Sequence, residues 1–263
     1  MKLLRVLALL IACVPFDQAA LGQGFAALVS PPRFDLSARP GKTVRAVIEV
    51  SNRTTTAAKY KIHTSDWTLT PSYSVRFQDD LMPGSCRPWV AIERPEVVVP
   101  AGGVLRYRFE VAIPPQQPAG ECRFAVMVEG AEPSIARTAG VELPVTGRIG
   151  VIVYVAIGDS APELVVLGPD VAPLNGADVP VLRVHNGGNA HTRLSGFLSG
   201  TDAKGISYDF TPSDFPVLPG GEWRVFLTPS NASDEHPKLT FPVTVRGTLD
   251  WGRNSISVDQ KFE

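Results

Sequence analysis

Leu105-Arg-Tyr-Arg-Phe-Glu-Val-Ala-Ile113 alternates side-chain character residue by residue: Leu105, Tyr107, Phe109, Val111 and Ile113 share one side of an extended chain, and Arg106, Arg108 and Glu110 share the other. A period of two is the pattern of a β-strand with one face buried and one in water. The pattern recurs outward from this stretch. Val44, Ala46, Ile48 and Val50 face one way and Arg45 and Glu49 the other, although Val47 blurs the alternation. Glycine and proline are both plentiful, 23 and 24 of 263 residues, and they punctuate the extended runs. No apolar stretch sustains a 3.6-residue period. The fold class is therefore all-β, built as sandwiches.

A weak internal repeat points to two copies of one topology. Val50-Ser-Asn52 closes a strand in the first half and Val184-His-Asn186 does so in the second, while Pro100-Ala-Gly-Gly-Val-Leu-Arg106 is echoed by Pro219-Gly-Gly-Glu-Trp-Arg224. Short words of turn plus strand also recur by chance in β-rich chains. The break between the copies is expected at Ile157-Gly-Asp-Ser-Ala-Pro162, giving domains over 25–157 and 158–263. Residues 1–24 read as a cleaved secretory signal: Lys2 and Arg5, the apolar run Val6 to Phe16, then Ala19-Ala-Leu-Gly22. The run is shorter than the roughly 20 residues a membrane-spanning helix takes, so no membrane insertion is expected. Leu10-Ile-Ala-Cys13 also resembles a lipoprotein processing box, which would leave a lipidated Cys13.

Removal of the leader leaves Cys86 and Cys122, and an even count in an exported chain favours a disulfide over two free thiols. A loop of 36 residues closed in this way is worth about 3–4 kcal/mol in the chain-entropy model. No histidine neighbours either cysteine, which argues against a metal pair. The formal net charge of −1, with both signs dispersed, gives no footprint for nucleic acid or anionic membrane. His63, His185, His191 and His236 stand in no nucleophile elbow, zinc pattern or phosphate loop, so no catalytic residue, metal or cofactor is expected. His185 and His191 flank Asn186-Gly-Gly-Asn189, which reads as a hairpin turn. Asp66-Trp67 and Glu222-Trp223 read as core tryptophans of sandwiches rather than as a sugar site.

From Val141 the chain runs Val-Glu-Leu-Pro-Val-Thr-Gly-Arg-Ile-Gly-Val-Ile-Val-Tyr-Val155, with every odd position apolar or glycine. Its length exceeds the usual five or six residues of a strand, which suggests one strand running along a sheet edge and on toward the second domain. Pro144 suits an edge, having no N–H for a ladder. An apolar edge carrying Val141, Leu143 and Val145 invites a partner strand. The same alternation also suits the last strand of an ordinary sandwich.

Several words of this sequence, in order, resemble the periplasmic PapD-like chaperones of chaperone–usher pilus assembly. They are Val29-Ser-Pro-Pro-Arg-Phe-Asp-Leu36, Val47-Ile-Glu-Val-Ser-Asn52, Trp89 followed by Pro95-Glu-Val-Val-Val-Pro-Ala-Gly-Gly103, Gly120-Glu-Cys-Arg123, and Arg148-Ile-Gly-Val-Ile-Val-Tyr154. They cover the first domain; the second matches only in being β-rich and of suitable length. The resemblance implies two immunoglobulin-like sandwiches, a periplasmic location, and pilin or fimbrial subunits and an outer-membrane usher as partners. It further implies strand donation to the subunit through Val141, Leu143 and Val145, and a pair of cations holding the subunit's C-terminal carboxylate. Arg33 occupies the first cation's position. Gly150 stands where the second, usually lysine, is expected, and Arg148, two residues earlier on the same side of the strand, is the substitute. The alternative is an extracytoplasmic two-domain binding or adhesion module that donates no strand.

Overall fold

A computed structural model describes residues 25–263 apart from 71, 139–140 and 232–236; the leader read over 1–24, with Cys13, lies outside them, as does His236. The described residues hold no α-helix, and no helix among them is long and apolar enough to cross a membrane. The first half contributes β1 (Ala27–Ser30), β2 (Arg33–Ala38), β3 (Thr43–Asn52), β4 (Ala58–Leu69), β5 (Val75–Gln78), β6 (Val90–Ile92), β7 (Glu96–Val99), β8 (Val104–Ala112), β9 (Gly120–Gly130), β10 (Ser134–Thr138), β11 (Val141–Val145) and β12 (Arg148–Ile157). One sheet has the order β1-β3-β8-β6, and the other β2-β12-β9-β4-β5 with β7 beside β4.

Alternation dictates how these sheets meet. Tyr107, Phe109 and Val111 of β8 are buried beside Ile48 and Val50 of β3, and they face Phe124, Val126 and Val128 of β9 and Val151, Val153 and Val155 of β12. The intervening polar residues point outward, where Arg45 and Glu110, register partners, join at 2.9 Å. Cys86 and Cys122 are disulfide-bonded within this core, their Cα atoms 5.3 Å apart. The loop bringing Cys86 there is organised by buried Asp66, whose carboxylate accepts from the Met82 N–H at 2.8 Å and the Ser85 hydroxyl at 2.6 Å, with Arg87 3.5 Å away.

The stretch from Val141 to Val155 is two strands, not one, and its second part is no edge. β12 lies between β2, to which it is parallel, and β9, to which it is antiparallel. β11 instead pairs with β10, and among the described residues these two form a sheet of their own. The break falls at Gly147, where the ring of Phe25 lies so close that an added Cβ would come within 2.2 Å of it. The Gly147 carbonyl turns to accept from the Gly130 N–H at 3.0 Å. Nor does β12 continue into the second domain. It stops at Ile157, and Gly158, at φ 63°, turns the chain.

The second half contributes β13 (Leu164–Leu174), β14 (Ala177–Asn186), β15 (Ser195–Thr201), β16 (Ser207–Pro212), β17 (Glu222–Ser230), β18 (Val243–Trp251) and β19 (Asn254–Phe262), hydrogen-bonded in the order β13-β14-β17-β16-β15-β18-β19. β17 pairs with β14 over Glu222–Phe226 and with β16 over Leu227–Ser230, so one strand changes neighbours midway and turns the sheet around a core of Leu182, Leu198, Phe210, Leu227, Val245 and Leu249. Asn186-Gly-Gly-Asn189 is not a hairpin turn, because β14 pairs with β13 and β17 while the chain beyond Asn189 goes on to β15. Gly188 is required there: an added Cβ would meet the Ala161 carbonyl at 2.3 Å.

The repeated asparagines have one task in both halves. Asn52 and Asn186 are wholly buried at the ends of β3 and β14. Each side-chain N–H₂ donates to the carbonyl four residues on (Thr56, 2.7 Å; Ala190, 2.9 Å) and to a carbonyl of a distant segment (Val99, 3.0 Å; Val217, 3.0 Å). Each side-chain oxygen accepts from the N–H two residues on (Thr54; Gly188) at 3.0 Å. Removing such a group leaves buried backbone polar atoms unsatisfied, at about 1–3 kcal/mol each. Asn52→Ala and Asn186→Ala are therefore expected to lower the unfolding free energy by about 2–4 kcal/mol in urea titrations, against under about 0.5 kcal/mol for exposed Asn254→Ala. Equal effects at all three positions would remove the clamp role.

Candidate functional site

Because odd residues of β12 enter the sandwich core, its even residues face away from it. Ile152 and Tyr154 join Trp67 and Leu69 of β4, Phe77 of β5 and Ala125 and Met127 of β9 in an apolar patch, against which Leu218 and Trp223 of the second domain pack. Trp67 and Tyr154 meet edge to face, with ring centres 5.5 Å apart, and the Trp67 N–H donates to the Phe124 carbonyl at 3.2 Å. Trp67 thus lies at the junction between the domains rather than in a sandwich core, while Trp223 packs against both the second sandwich's core and this patch.

Two contacts fix the second domain against this patch. Tyr73, in the turn between β4 and β5, donates its hydroxyl to the Arg224 carbonyl at 2.5 Å and accepts from the Arg224 N–H at 2.6 Å. Its ring stacks on Phe215 at 4.3 Å. These contacts hold a non-glycine residue at φ 60°, in the left-handed region that costs about 1 kcal/mol or more. At the other end, His191 stacks on Tyr154 with ring centres 3.6 Å apart, and its Nδ1 lies 2.5 Å from buried Glu121 while its Nε2 lies 3.4 Å from Asp35. Asn189 braces the same end, donating to the Ala119 carbonyl at 3.2 Å and accepting from the Ala161 N–H at 2.9 Å.

Between these contacts lies a cavity of about 260 Å3 lined by Pro32, Trp67, Leu69, Tyr73, Ile152 and Phe215, with Arg33, Arg193 and Asp214 among its charged residues. Arg33 is placed by the parallel register of β2 and β12, opposite Ile152. Its Nε donates to Asp35 at 3.1 Å and its Nη1 is 3.8 Å from one oxygen of Asp214. Arg193 Nη1 is 3.3 Å from the other oxygen of Asp214 and also donates to the Asp214 main-chain carbonyl. One carboxylate thus stands between two guanidiniums, one from each domain.

Of the residues expected from the sequence, Arg33 lies in this cleft. Arg148 lies opposite Glu129, exposed and four positions before Ile152 on β12, about 13 Å along the strand. At Gly150 an added Cβ would come within 2.2 Å of the Phe77 ring, so an aromatic side chain fills the space a lysine would leave by. Leu143 and Val145 are about half exposed on β11, away from the cleft; the side chain of Val141 lies outside the described residues. Arg193, Asp214, Tyr73 and the role of His191 were not found by sequence reasoning. Tyr73, Arg193 and Asp214 lie outside the strands, where periodicity gives no signal.

The junction is also ordered by charge. Burial pushes the Tyr154 phenol up to about 12, so it is neutral. The hydrogen bond from His191, with Arg33 nearby, holds Asp35 below its ordinary value against the opposing effect of burial. Burial works against a charge on His191, but the hydrogen bonds to Asp35 and Glu121 outweigh it and raise the imidazole above its ordinary 6.5. A raised pKa means the bound proton stabilises the folded junction: the contribution is complete below about pH 6.5 and is lost as pH rises through the raised value. Asp35 has the opposite sign, its contribution being present above about 3.8 and lost as pH falls through its lowered value. The stability advantage of the wild-type chain over His191→Gln, measured by urea unfolding from about pH 5.5 to 8.5, should be largest at the acid end and shrink steadily upward. A difference independent of pH would show that His191 acts by packing alone.

No family model and no curated protein sequence matches the chain. Among solved structures, the class 5 fimbriae chaperone CfaA is 13% identical, with 89% of this chain and 99% of that chain covered at a TM-score of 0.50. The SafB chaperone complex with the SafA pilin of Salmonella enterica gives 14%, 90%, 97% and 0.47, and the E. coli chaperone DraB gives 13%, 92%, 97% and 0.45. At 13% identity the likeness to CfaA is one of fold alone, the PapD-like two-domain β-sandwich of a fimbrial chaperone.

Proposed function

We propose that this chain is a periplasmic chaperone that binds pilin or fimbrial subunits by donating β11 to their incomplete sandwiches and passes them to an outer-membrane usher, a binding rather than a catalytic role. The observation that carries the reading is Leu143, a large aliphatic side chain half exposed on a strand that, among the described residues, pairs with β10 and with neither sheet of the sandwich. A subunit sandwich lacking its last strand exposes core, and alternate residues Val141, Leu143 and Val145 have the spacing to fill it. Burying each would contribute about 1.5–3 kcal/mol before ordering costs, with ladder hydrogen bonds setting the register. Arg33 would hold the subunit's C-terminal carboxylate, since a planar guanidinium can donate two parallel hydrogen bonds. Arg148, exposed and about 13 Å along β12 from the register position of Arg33, is the cation of that strand which could approach the same carboxylate.

The second reading, a two-domain binding module that donates no strand, draws on one observation: Phe77 fills the place of the expected lysine beside Gly150. Co-expression in a bacterial periplasm with small secreted β-proteins encoded beside this gene separates the two. Leu143→Asp should reduce recovered chaperone–subunit complex by at least about tenfold, as expected for loss of one buried anchor plus a buried charge. Unchanged recovery with Leu143→Asp would rule out donation through β11.

A further inference from the structure

Asp214 is held in an unusual way for a residue so open to water. Three-quarters of its side chain is exposed, yet each carboxylate oxygen is turned to a different guanidinium, Arg33 of the first domain and Arg193 of the second. Arg193 is by contrast mostly buried, and among the described residues its buried Nε has no hydrogen-bond partner. A guanidinium presents its donors as a fork matched to a carboxylate held face on; Asp214, approaching from its own loop, meets Arg193 through Nη1, and the Tyr154 hydroxyl also bonds to this guanidinium. An arriving carboxylate that takes over the pairing to Arg193 lets the exposed Asp214 carboxylate swing out without leaving a buried charge unpaired. Beside the pair lies the apolar cavity of about 260 Å3 lined by Trp67, Ile152 and Phe215, of a size to take one apolar side chain.

We propose that Arg193 is the second cation of the cleft, supplied by the second domain where the strand offers only Gly150, and that Asp214 is an internal stand-in which an arriving peptide carboxylate displaces. The ligand is the C-terminal end of a polypeptide whose last side chain is apolar, its carboxylate between Arg33 and Arg193 and its side chain in the cavity. This rests on the reading of Arg33 as a carboxylate anchor, and adds where the partner cation comes from and what occupies the site before the ligand arrives. It also makes the site dependent on both domains being docked, because neither guanidinium alone offers the two-sided cradle.

The probe is N-acetyl-Ala-Ala-Phe with a free C-terminal carboxylate, set against its C-terminal amide, followed through the fluorescence of Trp67 and Trp223 at the cleft. The free acid should bind and the amide should not. Asp214→Asn removes the competitor and should tighten the acid by about three- to tenfold, whereas Arg193→Gln should weaken it by at least about tenfold, the range of a charge-assisted hydrogen bond. Arg193→Lys, which keeps the charge, should restore part of the loss and guards against a folding defect, as does an unchanged unfolding midpoint. Binding of the acid that depends on Arg33 but is unmoved by Arg193→Gln and Asp214→Asn would leave the anchor standing and overturn this inference. Absence of binding by the acid in every variant, Asp214→Asn included, would overturn both.

Discussion

Strand β12 is buried on both faces, Val151, Val153 and Val155 in the sandwich core and Ile152 and Tyr154 against the second domain, and ladders along both its edges tie it to β2 and β9. Such a strand has no freedom to slide, because a shift of one residue would exchange its two apolar sets and put Arg148 and Gly150 out of step with Glu129 and Met127. Its parallel partner β2 inherits that fixity. Arg33 and Asp35 fall on the outer face because Phe34 and Leu36 are taken by the core. The junction, the cleft and the placement of Arg33 in it all follow from the register of this one strand.

Where the physics is local, the sequence was readable. Alternation in Leu105–Ile113 and around Val44–Val50 identified β8 and β3, since a half-buried strand needs nothing beyond its neighbours to show its period. The repeated asparagines were visible as words before their task was known, and the task is local as well: each bonds two and four residues ahead. The run from Val141 to Val155 misled because glycine is compatible with the apolar period at position 147. What ends the strand there is the ring of Phe25, brought in from the start of the described chain. A constraint that arrives through space leaves no periodic trace.

The cleft was only half legible for the same reason. Arg33 could be placed by the words around it, but Arg193 on the second domain belongs to a loop, and loops carry no period from which to predict where a side chain points. Resemblance directed attention along β12 to Arg148, whereas three-dimensional proximity lies across the junction at Arg193 and Asp214. Gly150 is not an empty position: Phe77 occupies its space from β5, so the aromatic character of this junction and the missing lysine are one fact seen from two strands. Charge here is spent in pairs, with His191 between Asp35 and Glu121 at one end and Asp214 between two arginines at the other.

Tyr73 and His191 hold the second domain at two separated points, one by a hydroxyl on the backbone of β17 and one by an imidazole set among carboxylates. A body pinned once can swivel; a body pinned twice can at most rock about the line joining the pins. The chain segment between Gly158 and Glu163 therefore acts as a tether rather than a hinge, and it need not be stiff for the two halves to keep their alignment. The apolar patch behind that line and the Arg33–Asp214 ion pair beside it hold the cleft at the spacing the two pins set. The two halves therefore present the cleft as one body rather than as a pair of linked beads.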